Sequence, residues 1–299
     1  MPASIGTFGK FGIGAASPVT QRLQYANESL LREDEVIDGN GIRGTRSSDI
    51  EMVSDSIIRV RGPVNLIPTA VELAAVLEWI MGGTPTGTPT VTYPLADTIP
   101  TKFVTIDRKA KVFTYTGVGV KKATFRAAKG TNLTLQLDLV GMTASAPANA
   151  GTFPNLTLDK TTKPWVFHQL ILDVDGTANV SCASFELSVD NMIDEERFFN
   201  SQTLTAVNAL DRVVMFSTAV PYGDYTALHA AMNAGSGGLS ATAVFTCNGQ
   251  VLTFSLPAVA IPWKDPETPG RVELMLPLAG RAYRSGTTDE LSITLNPTP

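Results

Sequence analysis

Between residues 133 and 139 apolar and polar positions alternate without a break. Leu133, Leu135, Leu137 and Leu139 fall on one side, and Thr134, Gln136 and Asp138 on the other. Successive side chains of a strand point to opposite faces, so the pattern predicts a strand with one buried face. A looser alternation starts at Asp49, where Asp49, Glu51, Asp55, Arg59 and Arg61 interleave with Ile50, Met52, Ile58 and Val60. It runs on through Val64 and Leu66, with an interruption at Gly62-Pro63 because proline cannot donate to a ladder. The segments 102–107, 112–118 and 121–126 read as further strands.

The period then changes once. Leu73, Val76, Leu77, Ile80 and Met81 recur at helical spacing and form one apolar face. Thr69 is the predicted N-cap, Glu72 completes a capping box, and Gly82-Gly83 stops the helix. The second half of the chain follows the same programme. Segments 168–174, 183–189, 212–219, 241–246, 250–256 and 271–278 read as strands. Asp175-Gly176 and Asn248-Gly249 are hairpin turns. A short helix is predicted over 225–234, capped by Asp224 and stopped by Gly235.

The halves also match in sequence. The run from Leu133 to Gly141 aligns without a gap on the run from Val272 to Gly280, superposing Leu135, Leu137 and Leu139 on Leu274, Leu276 and Leu278. A weaker echo relates Tyr25–Ser29 to Phe198–Gln202. A repeat of a supersecondary unit is the simplest source of such order. The reading is therefore mainly β with short helices, in two tandem units that each carry one flanking helix and long hairpin strands. Residues 1–48 lack steady periodicity and read as an extended N-terminal arm. Residues 49–145 form the first unit, 146–164 a linker rich in Ala, Pro, Asn and Gly, and 165–299 the second unit. The strands bearing Leu133, Leu135, Leu137, Leu139, Leu274, Leu276 and Leu278 form the core of the sheets. Leu73, Val76, Leu77 and Ile80 form the buried helix face.

Composition removes most other classes. The 299 residues carry a formal charge of −5, against the basic footprint of a nucleic-acid binder. No apolar run is long enough for a membrane-spanning helix, and the N-terminus lacks the pattern of a secretory leader. Two cysteines, Cys182 and Cys247, do not make a disulfide framework and read as small apolar side chains. The two histidines, His168 and His229, come without ligand spacing. The carboxylates of Asp194, Glu195 and Glu196 beside Arg197 read as a solvated or interfacial charge cluster. No catalytic constellation, cofactor motif or metal-ligand pattern emerges.

The order of these segments resembles tail tube proteins of long-tailed (siphovirus-type) bacteriophages, in a family with a duplicated tube domain. The resemblance rests on Tyr25–Leu30 followed by Gly44–Ser47, and on the run from Val60 to Leu73. It continues in Phe185–Asn191, Phe199–Ser201, 212–219 and Leu276–Tyr283. It implies β-sandwich or barrel units whose strands pair around a ring, with rings stacked into a hollow tube that conducts DNA during ejection. A duplicated chain implies a homotrimeric ring with pseudo-sixfold symmetry, a hexamer being the alternative. It also implies the tape measure, tail tip and terminator as partners, synthesis in the host bacterial cytoplasm and a place in the virion tail. The resemblance further implies that DNA passes the lumen without specific binding. Because every phosphate-neutralising cation adds affinity, an acidic and neutral polar wall is expected. Thr134, Gln136, Asp138 and Glu273 are its candidates, with Asp49, Glu51 and Asp55 as alternatives. Competing readings are a tail terminator, a secretion-system tube, or a monomeric β-rich binding module or adhesin.

Overall fold

A computed structural model describes residues 8–39, 47, 50–223, 228, 232, 238–265 and 273–298. The first strands are β1 (Lys10–Gly14), β2 (Gln21–Leu23), β3 (Tyr25–Glu28), β4 (Leu31–Asp38) and β5 (Val53–Leu66). Helix α1 (Ala70–Met81) follows, then β6 (Val91–Tyr93), β7 (Lys102–Asp107), β8 (Lys111–Ala128) and β9 (Thr134–Gly141). Short strands β10 (Thr143–Ala144) and β11 (Ala148–Asn149) lead out of the first half. The second half contains β12 (Leu170–Val174), β13 (Ser184–Asp190), β14 (Val213–Pro221) and β15 (Leu239–Cys247). It ends in β16 (Gln250–Ala260), β17 (Met275–Tyr283) and β18 (Ser292–Asn296). Segments 112–118 and 121–126, expected as separate strands, are one continuous strand, β8.

Strand pairing repeats between the halves. The first runs β4–β5–β9–β8–β7–β1. The second runs β13–β14–β17–β16–β15–β12. The register repeats as well. Val60 lies opposite Gly141 and Val64 opposite Leu137, while Phe216 lies opposite Gly280 and Val220 opposite Leu276. These are the pairings that the ungapped alignment of the two runs requires. The aligned glycines have a shared physical cause, since neither leaves room for a side chain. A Cβ on Gly141 would lie 2.8 Å from Val60 Cγ1, and one on Gly280 would strike the Ala260 carbonyl.

This correspondence corrects the expected arm. Residues 10–38 are strands of the first unit, with β1 in the place of β12 and β4 in the place of β13. Phe11 and Ile13 are buried at 0% and 1% exposure. β2 pairs with β1, but β1 also pairs with β7, and β3 and β4 pair with β5, all farther along the chain, so no sustained local period marks them. Residues 1–7 and 40–46 lie outside the described set. The echo of Tyr25–Ser29 in Phe198–Gln202 fails too. Tyr25–Glu28 pairs with β5, whereas residues 198–202 belong to the loop after β13. The linker is partly packed, because β11 pairs with β8 and Phe153 is buried with Val19 and Val112.

The two units share one sheet. The distal half of β8 pairs with β13, placing Phe125 opposite Leu187 and Lys122 opposite Asp190. The result is a continuous order β4–β5–β9–β8–β13–β14–β17. The sheet is open, and among the described residues β4 pairs with β5 alone. On its apolar face the remaining strands pack over it. Phe125 meets Phe254 edge-on at 5.0 Å between ring centroids, and Phe185 meets Phe245 at 5.6 Å. One hydrophobic cluster therefore runs through both halves. Leu133, Leu135, Leu137, Leu276 and Leu278 are fully buried in it, and Leu139 nearly so.

Helix α1 forms as its caps dictate. Thr69 and Glu72 make the reciprocal capping box, and Gly82 ends the helix in the left-handed conformation. Leu73, Val76, Leu77 and Ile80 are all fully buried. Trp79 Nε1 donates to the Val118 carbonyl at 2.9 Å, tying the helix to β8. Of the second predicted helix, Leu228 and Met232 are helical and buried, and its other residues, with His229, lie outside the described set.

Candidate functional site

The shared sheet turns its other face to solvent, and this face is polar. Cα partners in an antiparallel pair share a face, so the register assembles the surface row by row. Arg126 stands between Thr134 and Glu186, Thr124 between Gln136 and Ser188, and Lys122 between Asp138 and Asp190. Asn65 continues the second row beyond Gln136, and Pro63 the third beyond Asp138. Thr134, Gln136 and Asp138 thus form one polar column, as their alternation predicts. Gln136 Nε2 donates to Asp138 Oδ1 at 3.0 Å, which holds both side chains along the strand.

The face is not simply acidic and neutral. Arg61, Lys122 and Arg126 lie on it, each beside a carboxylate on a neighbouring strand. Arg61 pairs with Glu33 at 3.0 Å and Arg126 with Glu186 at 3.1 Å, while Lys122 stands opposite two aspartates. Sequence reasoning missed these cations because the period of 121–126 was read without its partner strand. The alternation of Glu186, Ser188 and Asp190 was the available signal. A charge answered across the ladder leaves little net attraction for a passing phosphate.

Glu273 does not join this wall as a strand residue. It precedes β17, is exposed, and lines a cavity of about 630 Å³ with Lys129, Thr131, His168 and Cys182. Leu274 is half-buried beside it, and its carbonyl accepts from the Tyr222 N–H at 2.9 Å. Among the alternatives, Glu51 lies before β5, Asp55 is exposed on β5, and Asp49 falls outside the described residues.

The acidic cluster after β13 reaches across to the first unit. Arg59 binds Glu196 at 2.9 Å and stacks on Phe198 with 5.1 Å to the ring centroid, and Lys121 pairs with Glu195. Hydrogen bonds from Arg59 hold the Glu196 carboxyl below its ordinary range, and the same contacts raise the guanidinium. The Ile58 N–H donates to the Gln202 carbonyl at 2.6 Å. Beneath the loop, Ile193, Leu204 and Val140 form a small apolar cluster. Asn191 Nδ2 donates to the Ile80 and Val120 carbonyls at 3.2 and 3.1 Å. The charge cluster is thus an interface between the units.

Cys182 and Cys247 are free thiols, and burial pushes the Cys182 thiol up. Among the described residues no group of His, Cys, Asp and Glu side chains is placed to hold a metal ion. No helix among them is long and apolar enough to cross a membrane. What the molecule offers is surface: a long mixed-charge sheet face and an open sheet edge. No curated protein matches the chain. A family model described as phage tail tube protein matches residues 5–282, and the chain belongs to that family.

Proposed function

We propose that this chain polymerises into stacked rings that form the hollow tube of a phage tail, the conduit for DNA ejection. The observation that carries the reading is the junction of β8 with β13, where two copies of one unit join edge to edge in a single open sheet. A sheet with a free edge is a template for another chain, and closure into a barrel removes such edges. Repeating the junction between chains closes the barrel. Three chains supply six units, which gives a trimeric ring with pseudo-sixfold symmetry. The polar face, with Thr134, Gln136, Asp138, Lys122 and Arg126, lines the lumen, and the apolar face packs against the outer strands and α1. A wall of answered charges lets DNA slide without a specific grip. Head-to-tail stacking of rings is a heterologous contact and grows a filament. The tape measure, tail tip and terminator are the partners at its ends and inside it. The role is structural, exercised in the virion tail after synthesis in the bacterial host.

The test is negative-stain electron microscopy of the purified protein at rising concentration, alone and with tail-tip assemblies. Hollow tubes or stacked rings support the proposal. A monomer that neither polymerises nor extends tips refutes it, and would favour a binding module.

A further inference from the structure

The internal repeat shows what covers the end of each β13-type hairpin, and the first repeat displays the same parts uncovered. Following the register past β13, Leu210 N–H donates to the Met192 carbonyl, and Ile193 bridges Ala209. In the first repeat Ile37 lies opposite Ser54 and Asp38 opposite Val53. Val36, Ile37 and Asp38 therefore occupy the places of Asn191, Met192 and Ile193.

Their environments differ sharply. Asn191 and Ile193 are 3% and 5% exposed, because they seat on the first repeat. Val36, in the place of Asn191, is 62% exposed, and Ile50 and Met52 across the hairpin are 82% and 53% exposed, whereas Ile37 at 58% resembles its counterpart Met192, which is itself 43% exposed. The receiving surface shows the converse. In the first repeat Arg59 and Val140 lie under the loop that follows β13, and Val140 is 5% exposed. Their register counterparts in the second repeat are Met215 and Ala279. Met215 is 41% exposed and Ala279 is exposed, and Arg281, the Cα partner of Met215, lines a cavity of about 520 Å³ with Leu210 and Tyr283.

We infer that the β4–β5 hairpin end of one subunit seats on this surface of the next, repeating between chains the contact that the loop after β13 makes within the chain. The occupant is a second copy of this protein. Val36, Ile50 and Met52 form the inserting side, and Met215, Ala279, Leu210 and Tyr283 the receiving side. The contact buries exposed apolar groups on both sides, and it is continuous with the edge-to-edge junction proposed above. This inference rests on the tube reading.

The experiment places the photocrosslinker p-benzoylphenylalanine at Val36 and irradiates assembled tubes. The expected product is a covalent adduct between chains, whose linked peptide maps to residues 210–215 or 279–284 of the second half. In parallel, Met215→Glu puts a charge on an exposed position. It should leave thermal unfolding of the monomer unchanged and abolish tube formation. Intact tubes with no adduct, an adduct confined to first halves, or tubes formed by Met215→Glu overturn the inference while leaving the tube reading standing. Failure of the unmodified protein to assemble with tips present overturns both.

Discussion

Replacing Leu137 by alanine removes a fully buried side chain that stands opposite Val64 on β5 and Ala123 on β8. Leu276, its counterpart in the second repeat, is equally buried and stands opposite Val220. Leucine-to-alanine changes in close-packed cores cost about 2–5 kcal/mol, from lost transfer energy plus the cavity left behind. Both sites lie in the middle of strands paired on a rigid sheet, which cannot collapse easily around a void. A loss of about 3 kcal/mol at each site is therefore expected. For a chain of this size that lowers the midpoint by roughly 5 °C. One hydrophobic cluster runs through both repeats, so each variant should unfold in a single transition and the double variant should lose close to the sum. Differential scanning calorimetry with circular dichroism of the monomer reads all three quantities. Two separated transitions, or a loss below about 1 kcal/mol at Leu276 alone, would refute the shared core and the equivalence of the repeats.

Three further outcomes follow from local structure. Gly62 sits at φ +151 with its missing Cβ aimed into the Ser29 carbonyl, so Gly62→Ala should push β3 and β4 off β5 and lower the yield of folded protein, read by limited proteolysis. Glu72 is 2% exposed, and burial raises its carboxyl above the ordinary 4.5, against the opposing hydrogen bonds from Thr69 and Gln24. Its neutral form is the one the fold favours, so its contribution is full below pH 4.5 and is lost as pH rises through the raised folded value. Glu72→Gln should therefore flatten the fall of melting temperature over that window, and an unchanged slope would contradict the sign. Replacing Glu186, Asp190 and Asp138 by their amides leaves Arg126 and Lys122 without a carboxylate across the ladder, and should give tubes that bind single- or double-stranded DNA in a salt-dependent manner, measured by co-sedimentation.

The sequence disclosed those parts of the fold whose signals are local. The capping box at Thr69 and Glu72, the terminating Gly82, and the alternation in β9 each lie within a few residues, and each is seen in the structure. The repeat was legible because Gly141 and Gly280 both lie where a side chain has no room, Gly141 against Val60 and Gly280 against the Ala260 carbonyl. The arm was misread because β1, β3 and β4 take their meaning from β7 and β5, which lie far along the chain. The cations of the polar face were missed for a related reason. Lys122 and Arg126 read as ordinary strand charges until β13 brings Asp190 and Glu186 opposite them. The exposed ends at Val36 and Met215 carry no sequence signal at all, since only comparison with their covered counterparts gives them meaning.

The most direct test of the account is a cryo-electron microscopy reconstruction of assembled tubes. The account predicts three chains per ring, a continuous barrel in which β4 meets the second repeat of its neighbour, and Thr134, Gln136 and Asp138 facing the lumen. A ring of six whole chains, or tubes lined by the other face of the sheet, would contradict it.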